Sequence, residues 1–448
     1  MDSDECLPSF LISPQCTYPG AFMRIPLVPS IPALLLVCAF ATPGQAAVSI
    51  SSDDGLVMNF GLDVQAQETM ANAKSSTGGD YDIIDARPGL SDQMDIQNRR
   101  ARFFTYGTYD ANWKYFLGFL NDHADNEGAS TSSASSGRNT QLYKAYIERD
   151  LPSDALVSTL HAGLDYPFYN IAIQGDPNWL FCNQRATGTL SNIREEGLRY
   201  KLSGSKFTWG VDVMDSLAEK PAGSAAQRAG LFYSSRLEFY PLPGKKPAYK
   251  ESYAGAPGTS LMVAADVGYD DHDLGLYNGA VGTPAGSLYR TNSLGYGFES
   301  IYHMDGLTAL GEFRQLNTTA NSLNTPSNPT LRNRAQIFLI QAGYTIPVAG
   351  IGIEPAVRFT KMNYGLATAI ASNYDETAQS LPSGANNNVF GLSGGDADSG
   401  LTGRQIDAGV NFYFVKHMIE MQVDYSYWDA AYGQAKANIL RVQEQIAF

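Results

Sequence analysis

The final stretch of the chain, KANILRVQEQIAF from Lys436 to Phe448, alternates between two kinds of residue. One set of alternate positions holds Leu440, Val442, Ile446 and Phe448, interrupted by Glu444, and the other holds Arg441, Gln443 and Gln445. A period of two is typical of a β-strand whose two faces meet different surroundings. The stretch therefore predicts a strand with one apolar face and one polar face.

The same alternation recurs after residue 47 in runs of about ten residues, separated by turn signals. The sixteen runs are Gly55–Gln67, Asn98–Tyr109, Trp113–Asn121, Thr140–Arg149, Leu156–Leu164, Ile193–Leu202, Phe207–Met214, Leu231–Tyr240, Leu261–Tyr269, Asn292–His303, Leu307–Leu316, Ala335–Ile346, Ile353–Lys361, Gln405–Phe414, Met418–Trp428 and Lys436–Phe448. Short and long connections alternate between them: Asp110–Asn112 is a tight turn, whereas Met362–Gly403 is a long loop rich in Asn, Gly and Ser.

Short turns at one end and long loops at the other are the pattern of bacterial outer-membrane barrels, and a terminal aromatic residue such as Phe448 is typical of them. The predicted fold class is therefore all-β, a 16-stranded antiparallel transmembrane β-barrel with an inward-folded third loop. Barrels of roughly sixteen to eighteen strands leave a water-filled channel. The alternative architecture is a soluble pair of β-sandwiches or a propeller.

Composition narrows the function classes. Charged residues make up 17% of the chain, below the roughly 25% of an average globular protein, while Tyr and Gly are frequent at 26 and 43 residues. A net charge of -14 argues against nucleic acid as a partner, because phosphate contacts need clustered Lys and Arg. Three of the four cysteines precede residue 47, so Cys182 alone remains in the rest of the chain and predicts no disulfide framework.

The N-terminal region has the features of a targeting segment. Arg24 precedes an apolar core, Ile31–Ala41, which is followed by small residues that predict cleavage after Ala46. We expect residues 23–46 to be a signal peptide that starts at Met23, residues 1–22 to be a spurious extension, and residues 47–448 to be the barrel. The alternative, a membrane anchor, is disfavoured because the apolar core is short.

Alternation also assigns the two faces of each run. In the eighth run, Arg236 and Glu238 alternate with Leu237 and Phe239. In the fourth, Lys144, Tyr146 and Glu148 alternate with Tyr143, Ala145 and Ile147. A charge facing hydrocarbon costs roughly 2–4 kcal/mol at the bilayer midplane, so the charged rows are predicted to face the lumen. A polar-lined barrel of this size is a pore.

The predicted pore-lining cations, which would form an anion path, are Arg100, Arg102, Lys144, Arg199, Lys201, Arg236, Arg314, Arg358 and Arg441. The carboxylates on the same face are Glu148, Asp212, Glu238, Asp266, Glu299, Glu312 and Glu354. A series of Arg side chains would pass planar oxyanions from site to site. Alternatively, the two signs pair across neighbouring strands and neutralise each other.

The segment Asp165–Asn192 lacks clean alternation and is too apolar for a solvated external loop. It is the predicted constriction loop, with Trp179, Phe181 and Arg185 as the side chains that would set the radius and charge of the pore. The alternative is an ordinary extracellular loop.

Several weak motifs, in this order, resemble the phosphate-selective porin O and P family of the outer membrane. They are Arg99–Arg102, Trp113–Tyr115, Gly163 with Pro167–Phe168, Gly311–Phe313, Ala342–Tyr344 with Glu354 and Arg358, Gly409–Tyr413 with Val423–Tyr425, and Arg441–Phe448. Together they span nearly the whole chain after the predicted cleavage site. The resemblance implies a trimer of sixteen-stranded barrels that takes up anions, phosphate in the best-known members. The chain departs from the family in its Asp165–Asn192 segment, which carries one basic residue, Arg185.

No catalytic set, metal site or cofactor is predicted. Gly391–Gly395 fits the nucleophile pattern of serine hydrolases but lies in a Gly-rich loop instead of a strand–turn–helix elbow. The acidic groups around His123 and His272 are interpreted as solvated loop charges.

The predicted function is a passive channel for small hydrophilic solutes in the Gram-negative outer membrane, preferring anions such as phosphate or polyphosphate. Its predicted partners are outer-membrane lipid and lipopolysaccharide, two further copies in a homotrimer, and the barrel-assembly machinery through Phe448. The alternative is an outer-membrane barrel that is not a channel, either an enzyme or a structural or adhesive protein.

Overall fold

The structure of the chain is a computed structural model. It describes residues 48–52, 55–75, 92–110, 112–122, 140–153, 155–170, 181–182, 195–215, 230–242, 246, 258–277, 287–322, 331–363, 368–369, 403–415, 417–430 and 435–447. The predicted signal peptide, the predicted start at Met23 and the terminal Phe448 lie outside the described residues. Within these ranges, no helix is long and apolar enough to cross a membrane.

The described residues form nineteen strands in one antiparallel sheet. They are β1 (Val48–Ser51), β2 (Leu56–Ser75), β3 (Asp92–Tyr109), β4 (Trp113–Asp122), β5 (Gln141–Pro152), β6 (Val157–Asp165), β7 (Glu195–Ser203), β8 (Phe207–Asp215), β9 (Leu231–Phe239), β10 (Ser260–Tyr277), β11 (Ser287–Met304), β12 (Leu307–Ser322), β13 (Leu331–Tyr344), β14 (Ile346–Val348), β15 (Ile351–Asn363), β16 (Thr368–Ala369), β17 (Gly403–Val415), β18 (Ile419–Ala430) and β19 (Ala435–Ala447).

The sheet closes on itself into a barrel of sixteen strands. β2 to β13, β15 and β17 to β19 pair in chain order, and β19 pairs with β2 from Ala447 opposite Asp63 to Ala435 opposite Ser75. The three remaining strands are short extensions: β1 pairs with the start of β2, β14 with the start of β15, and β16 with the start of β13. The predicted 16-stranded antiparallel β-barrel is confirmed.

All sixteen predicted runs fall on barrel strands, but several strands extend further towards the long loops. β10 continues to Tyr277, beyond the predicted end at Tyr269. The extension holds Asp270, Asp271 and Asp273, where polar residues occupy both parities. Hydrophobic periodicity cannot detect a strand whose two faces are both polar, so the sequence understated these ends.

Short turns join the strands at one end of the barrel. Asp305 and Gly306, with φ of 45° and 94°, join β11 to β12, and Ala349 and Gly350, with φ of 50° and 87°, join β14 to β15. Two consecutive residues with positive φ are typical of the tight turn that matches the twist of the flanking strands. The connection from Phe239 to Ser260 lies at the same end and is longer.

The two faces of the barrel differ as the alternation predicts. Along β9 the buried positions are Phe232, Ser234, Arg236 and Glu238, and the exposed positions include Leu231, Tyr233, Leu237 and Phe239. Along β19, Arg441, Gln443 and Gln445 are buried, and Leu440, Val442, Glu444 and Ile446 lie on the outer face. Charged and amide side chains therefore occupy the inner face, and the outer face is mainly apolar.

Two β-bulges change the predicted faces. The pairing of β4 with β5 shifts between Gly118 and Phe119, and this irregularity turns Tyr143 to the inner face, where it is buried. The prediction that Tyr143 lies opposite Lys144 was wrong, because strict alternation does not allow for an inserted residue. A second shift, between Gln65 and Ala66 of β2, brings Arg99 to the inner face beside Arg100, where Arg99 donates to Gln67 at 2.7 Å.

The inner face of the barrel as a candidate functional site

All nine cations predicted to line the pore lie on the inner face, on strands β3, β5, β7, β9, β12, β15 and β19. Arg100, Arg102, Arg199, Arg236, Arg314, Arg358 and Arg441 are buried. Lys144 and Lys201 are partly exposed. Trp179 and Arg185, predicted for the constriction loop, lie outside the described residues, and Phe181 is described and buried.

Six charged side chains on β9 to β12 form a buried ion cluster, which we call the β9–β12 cluster: Arg236, Glu238, Asp266, Glu299, Glu312 and Arg314. The two terminal nitrogens of Arg314 donate to the two oxygens of Asp266 at 2.8 and 2.9 Å, and one of them also donates to Glu299 at 2.7 Å. Arg236 meets Glu299 at 2.7 Å and Asp266 at 3.1 Å. These guanidiniums are held by carboxylates, as the pairing alternative proposed.

A second set of ion pairs lies on β5 to β8. Lys144 meets Asp165 at 2.9 Å, and Arg199 meets Asp212 at 2.6 Å and Asp165 at 3.3 Å. The pattern repeats around the barrel, with Arg358 on Asp407 at 2.7 Å, Arg441 near Asp424 at 3.7 Å and Arg102 near Asp63 at 3.9 Å. At least seven of the nine predicted cations thus have a carboxylate partner within ion-pair distance.

Four of these carboxylates were not predicted from the sequence: Asp63, Asp165, Asp407 and Asp424. Three of them lie within predicted runs, at the parity of other polar residues, so strict use of alternation would have found them. Their partners could not be found in this way, because the pairing of Arg358 with Asp407 depends on the register between β15 and β17.

Residues just after β6 are bound to the inner face of β7 to β12. The Phe168 N–H donates to Asp212 at 2.8 Å, and Arg199 donates to the Tyr166 carbonyl. The Tyr169 carbonyl accepts from Arg236 at 3.3 Å, and its ring lies 4.6 Å from the guanidinium carbon of Arg314. Burial raises the pKa of the Tyr169 phenol well above its usual value. The arginines on this wall therefore bind the connection as well as carboxylates.

Phe181 and Cys182, from the same connection, contact the opposite wall. The Cys182 N–H donates to Asp424 at 2.6 Å, and its thiol donates to the Gln422 carbonyl at 3.8 Å. The Phe181 ring lies 4.7 Å from the guanidinium carbon of Arg358. Burial raises the pKa of the Cys182 thiol, and the negative charge of Asp424 raises it further. β18, which carries Asp424, lies eight strands from β8 in the order of the barrel, which is halfway around it.

Exposure of the inner face is uneven. On β8 to β13 and on β15 to β19 nearly all described inner side chains are buried, apart from glycines. Partly exposed inner side chains concentrate on β3 to β7 and include Phe116, Tyr146, Glu148 and Lys201. The accessible part of the described inner surface is therefore the wall formed by β3 to β7.

In the part of the chain that the structure describes, no group of three His, Cys, Asp or Glu side chains is arranged to hold a metal ion. His123 and its acidic neighbours, and the Gly391–Gly395 motif, lie outside that part.

Comparisons with known proteins support the fold. A scan against protein-family models finds no match, and neither does a search of curated proteins. Among solved structures, the chain resembles the outer membrane channel DcaP of Acinetobacter baumannii at 11% identity and a TM-score of 0.53, over 90% of this chain and 100% of that one. A loop-deletion mutant of the outer membrane protein OmpT of Vibrio cholerae matches at 11% identity and a TM-score of 0.49, over 88% and 100% of the two chains. At this identity the resemblance to DcaP shows that the chain has the fold of an outer-membrane β-barrel.

Proposed function

We propose that the protein is a passive diffusion channel for small hydrophilic solutes in the Gram-negative outer membrane. The observation that carries the proposal is the closed sixteen-strand barrel with an apolar outer face and a charged inner face. Such a wall suits hydrocarbon outside and water inside. Planar-bilayer recording of the purified protein tests the proposal: discrete conductance steps are expected, and a silent protein that is folded would contradict it.

The outer face gives a first prediction. Phe298 is 60% exposed. It lies six residues before Met304, which is the last residue of β11 before the short turn. The distance between the two residues is about 20 Å along the strand. At a strand tilt of about 40°, Phe298 lies about 15 Å from the level of Met304, close to the bilayer midplane. Phe298→Arg is expected to destabilise the barrel by about 2–4 kcal/mol, measured by urea unfolding in phospholipid vesicles.

Met304→Arg is the matched control for depth, since Met304 is also on the outer face of β11 but lies at the rim. Its cost should fall to about 0–1 kcal/mol. Equal costs at the two positions would count against a bilayer around this face.

We propose further that the connection between β6 and β7 folds into the barrel and narrows the channel. The contacts of Phe168 with Asp212 and of Cys182 with Asp424 support this, because they place parts of one connection against opposite walls. Of the three side chains predicted for the constriction, Phe181 is the one that the structure describes. The roles of Trp179 and Arg185 stay predictions.

We also propose that the channel prefers anions. The exposure of the pore-lining side chains indicates which cations could produce this preference. Of the nine predicted residues, Lys144 and Lys201 are the partly exposed ones, and Lys144 is paired with Asp165. Lys201→Gln is therefore expected to shift the reversal potential in a KCl gradient towards cation preference. Lys206→Gln is the control, because Lys206 lies in the turn after β7 and binds the Leu242 carbonyl at 3.1 Å. Equal shifts in both variants would refute a role for Lys201 in the lumen.

A structural barrel is the second proposal, favoured by the burial of most described inner side chains on β8 to β19. The two proposals differ in bilayer recordings, where a structural barrel is silent. The signal peptide, the start at Met23, the homotrimer, the contacts with lipopolysaccharide and assembly machinery, and membership of the phosphate-selective porins stay predictions.

A further inference from the structure

Five rings form a continuous row on the accessible wall of the barrel, across β3 to β6. This aromatic row consists of Tyr106, Phe104, Phe116, Tyr146 and His161. Successive ring centroids are 6.1, 5.6, 5.7 and 4.5 Å apart. The planes of Phe104 and Phe116 lie within 17° of each other, and those of Phe116 and Tyr146 within 11°.

Register places the row on the inner face. Tyr106 faces Phe116 across β3 and β4, and Phe116 faces Tyr146 across β4 and β5. His161 lies on the same face, because its ring nitrogens approach Glu148 at 3.4 Å and Asp165 at 3.8 Å. The row therefore runs around the lumen wall instead of contacting hydrocarbon.

Two glycines allow the rings to lie close to the wall. A Cβ atom at Gly61 would lie 2.2 Å from the Phe104 ring, and one at Gly118 would lie 2.8 Å from the Phe116 ring. Any larger residue would push these rings away from the strands. The Phe104 and Phe116 rings thus lie close against the backbone of the barrel wall.

Four of the five rings are accessible, unlike the apolar clusters elsewhere on the inner face, and His161 is buried. Tyr106 is 41% exposed, and Phe104, Phe116 and Tyr146 are partly exposed. By contrast, Met262, Ile301 and Leu339, which pack together on β10, β11 and β13, are almost fully buried. The aromatic row therefore presents apolar surface to the lumen, whereas the Met262 cluster is covered.

Charged groups of both signs border the row on its short-turn side. Lys114 meets Asp150 at 2.5 Å and Glu148 at 3.6 Å, and all three side chains are partly exposed. Carboxylates accept hydrogen bonds and the ammonium group donates them, so this border matches hydroxyl groups, which do both. A ligand ring with a negative charge would be repelled by Glu148 and Asp150. A ligand ring with a positive charge would be repelled by Lys114.

We propose that the aromatic row is a binding surface for the rings of neutral sugars. Their apolar C–H faces would stack on Phe116 and Tyr146, and their hydroxyls would bind Lys114, Glu148 and Asp150. Aromatic rings with a few convergent polar groups are the usual composition of a small-molecule site. The proposal rests on the proposed channel function for its role in uptake, but the binding itself does not require conductance.

Calorimetric titration of the folded protein in detergent with maltotriose tests the proposal. The double variant Phe116→Leu/Tyr146→Leu keeps apolar side chains but removes two ring faces. It is expected to bind maltotriose about tenfold more weakly, a loss of about 1.4 kcal/mol of binding free energy, because two ring faces are removed. Phe119→Leu is the matched control, because Phe119 is on β4 but faces outward. Its affinity should equal that of the unchanged protein.

Two further ligands test the chemistry on the unchanged protein, whether or not the double variant folds. Sorbitol has the hydroxyls but no ring and should not bind, and benzoate has the ring but a negative charge and should bind more weakly than maltotriose. Absence of maltotriose binding, equal affinity in the folded double variant, equal binding of sorbitol, or stronger binding of benzoate would each overturn the proposal. Maltotriose binding by a protein that is silent in bilayers would contradict the channel proposal and support the sugar-binding proposal. Conductance without maltotriose binding would support the channel proposal and contradict the sugar-binding proposal.

Discussion

Arg314→Met is expected to destabilise the barrel by about 3–5 kcal/mol, because it leaves buried carboxylates without their counter-charge. Arg314 is almost fully buried, binds both oxygens of Asp266 and also meets Glu299. Met fills much of the same volume, so lost packing contributes little. The measurement is the free energy of unfolding in urea, with the protein folded into phospholipid vesicles.

Two controls separate charge from packing. Arg404→Met removes an ion pair with Asp429 in which the Arg404 side chain is 63% exposed, and it should cost less than about 1 kcal/mol. Adding Asp266→Asn and Glu299→Gln to Arg314→Met removes the two carboxylates that accept hydrogen bonds from Arg314 and should recover at least half of the loss. Failure of this triple variant to recover stability would show that the β9–β12 cluster acts through shape and not through charge balance.

Asp424→Ala is expected to increase the rate at which a maleimide reagent labels Cys182 in the folded barrel by about 10- to 100-fold. The carboxylate accepts the Cys182 N–H at 2.6 Å, and a hydrogen bond to a charged group contributes about 1.5–3 kcal/mol. Each 1.4 kcal/mol corresponds to about tenfold in the population of the released segment. The rate is measured by mass spectrometry, with a Cys182→Ser chain as the blank.

The pH dependence of this labelling has a definite sign. Burial, and then Asp424, raise the pKa of the Cys182 thiol, so less of the reactive thiolate is present at a given pH. Removing the carboxylate should therefore move the midpoint of the rate profile to lower pH. Asp424→Asn also removes the charge but keeps an oxygen that can accept the N–H, so its labelling should be slower than that of Asp424→Ala. Equally fast labelling in both variants would mean that charge, and not the hydrogen bond, holds Cys182 on β18.

Local patterns predicted the barrel well. Strands such as β9 alternate Leu, Tyr and Phe with Ser, Arg and Glu, and each face reports its surroundings residue by residue. The prediction failed where this local rule does not apply: at the bulge that turns Tyr143 inward, and in the polar extension of β10 beyond Tyr269. In both places the hydrogen bonds between strands decide the structure, and hydropathy does not record them.

The sequence predicts which residue types lie on the inner face, but not which of these side chains contact each other. Parity placed the arginines on the inner face, yet the contact of Cys182 with Asp424 joins residues 242 positions apart, and no local signal carries it. The aromatic row was missed for a related reason. Phe104, Phe116 and Tyr146 stand on three different strands, and only the register of β3, β4 and β5 aligns their rings.

The seam between β19 and β2 has a consequence for the order of folding. The Gln65 amide donates to Gln445 at 2.6 Å, a contact between residues 380 positions apart. Bringing such distant segments together is entropically slow, so barrel closure must follow synthesis of almost the entire chain. Until then β2 and β18 are open edges that can pair with other chains. A chain that stops before Ala435 would lack β19 and would leave both edges exposed permanently.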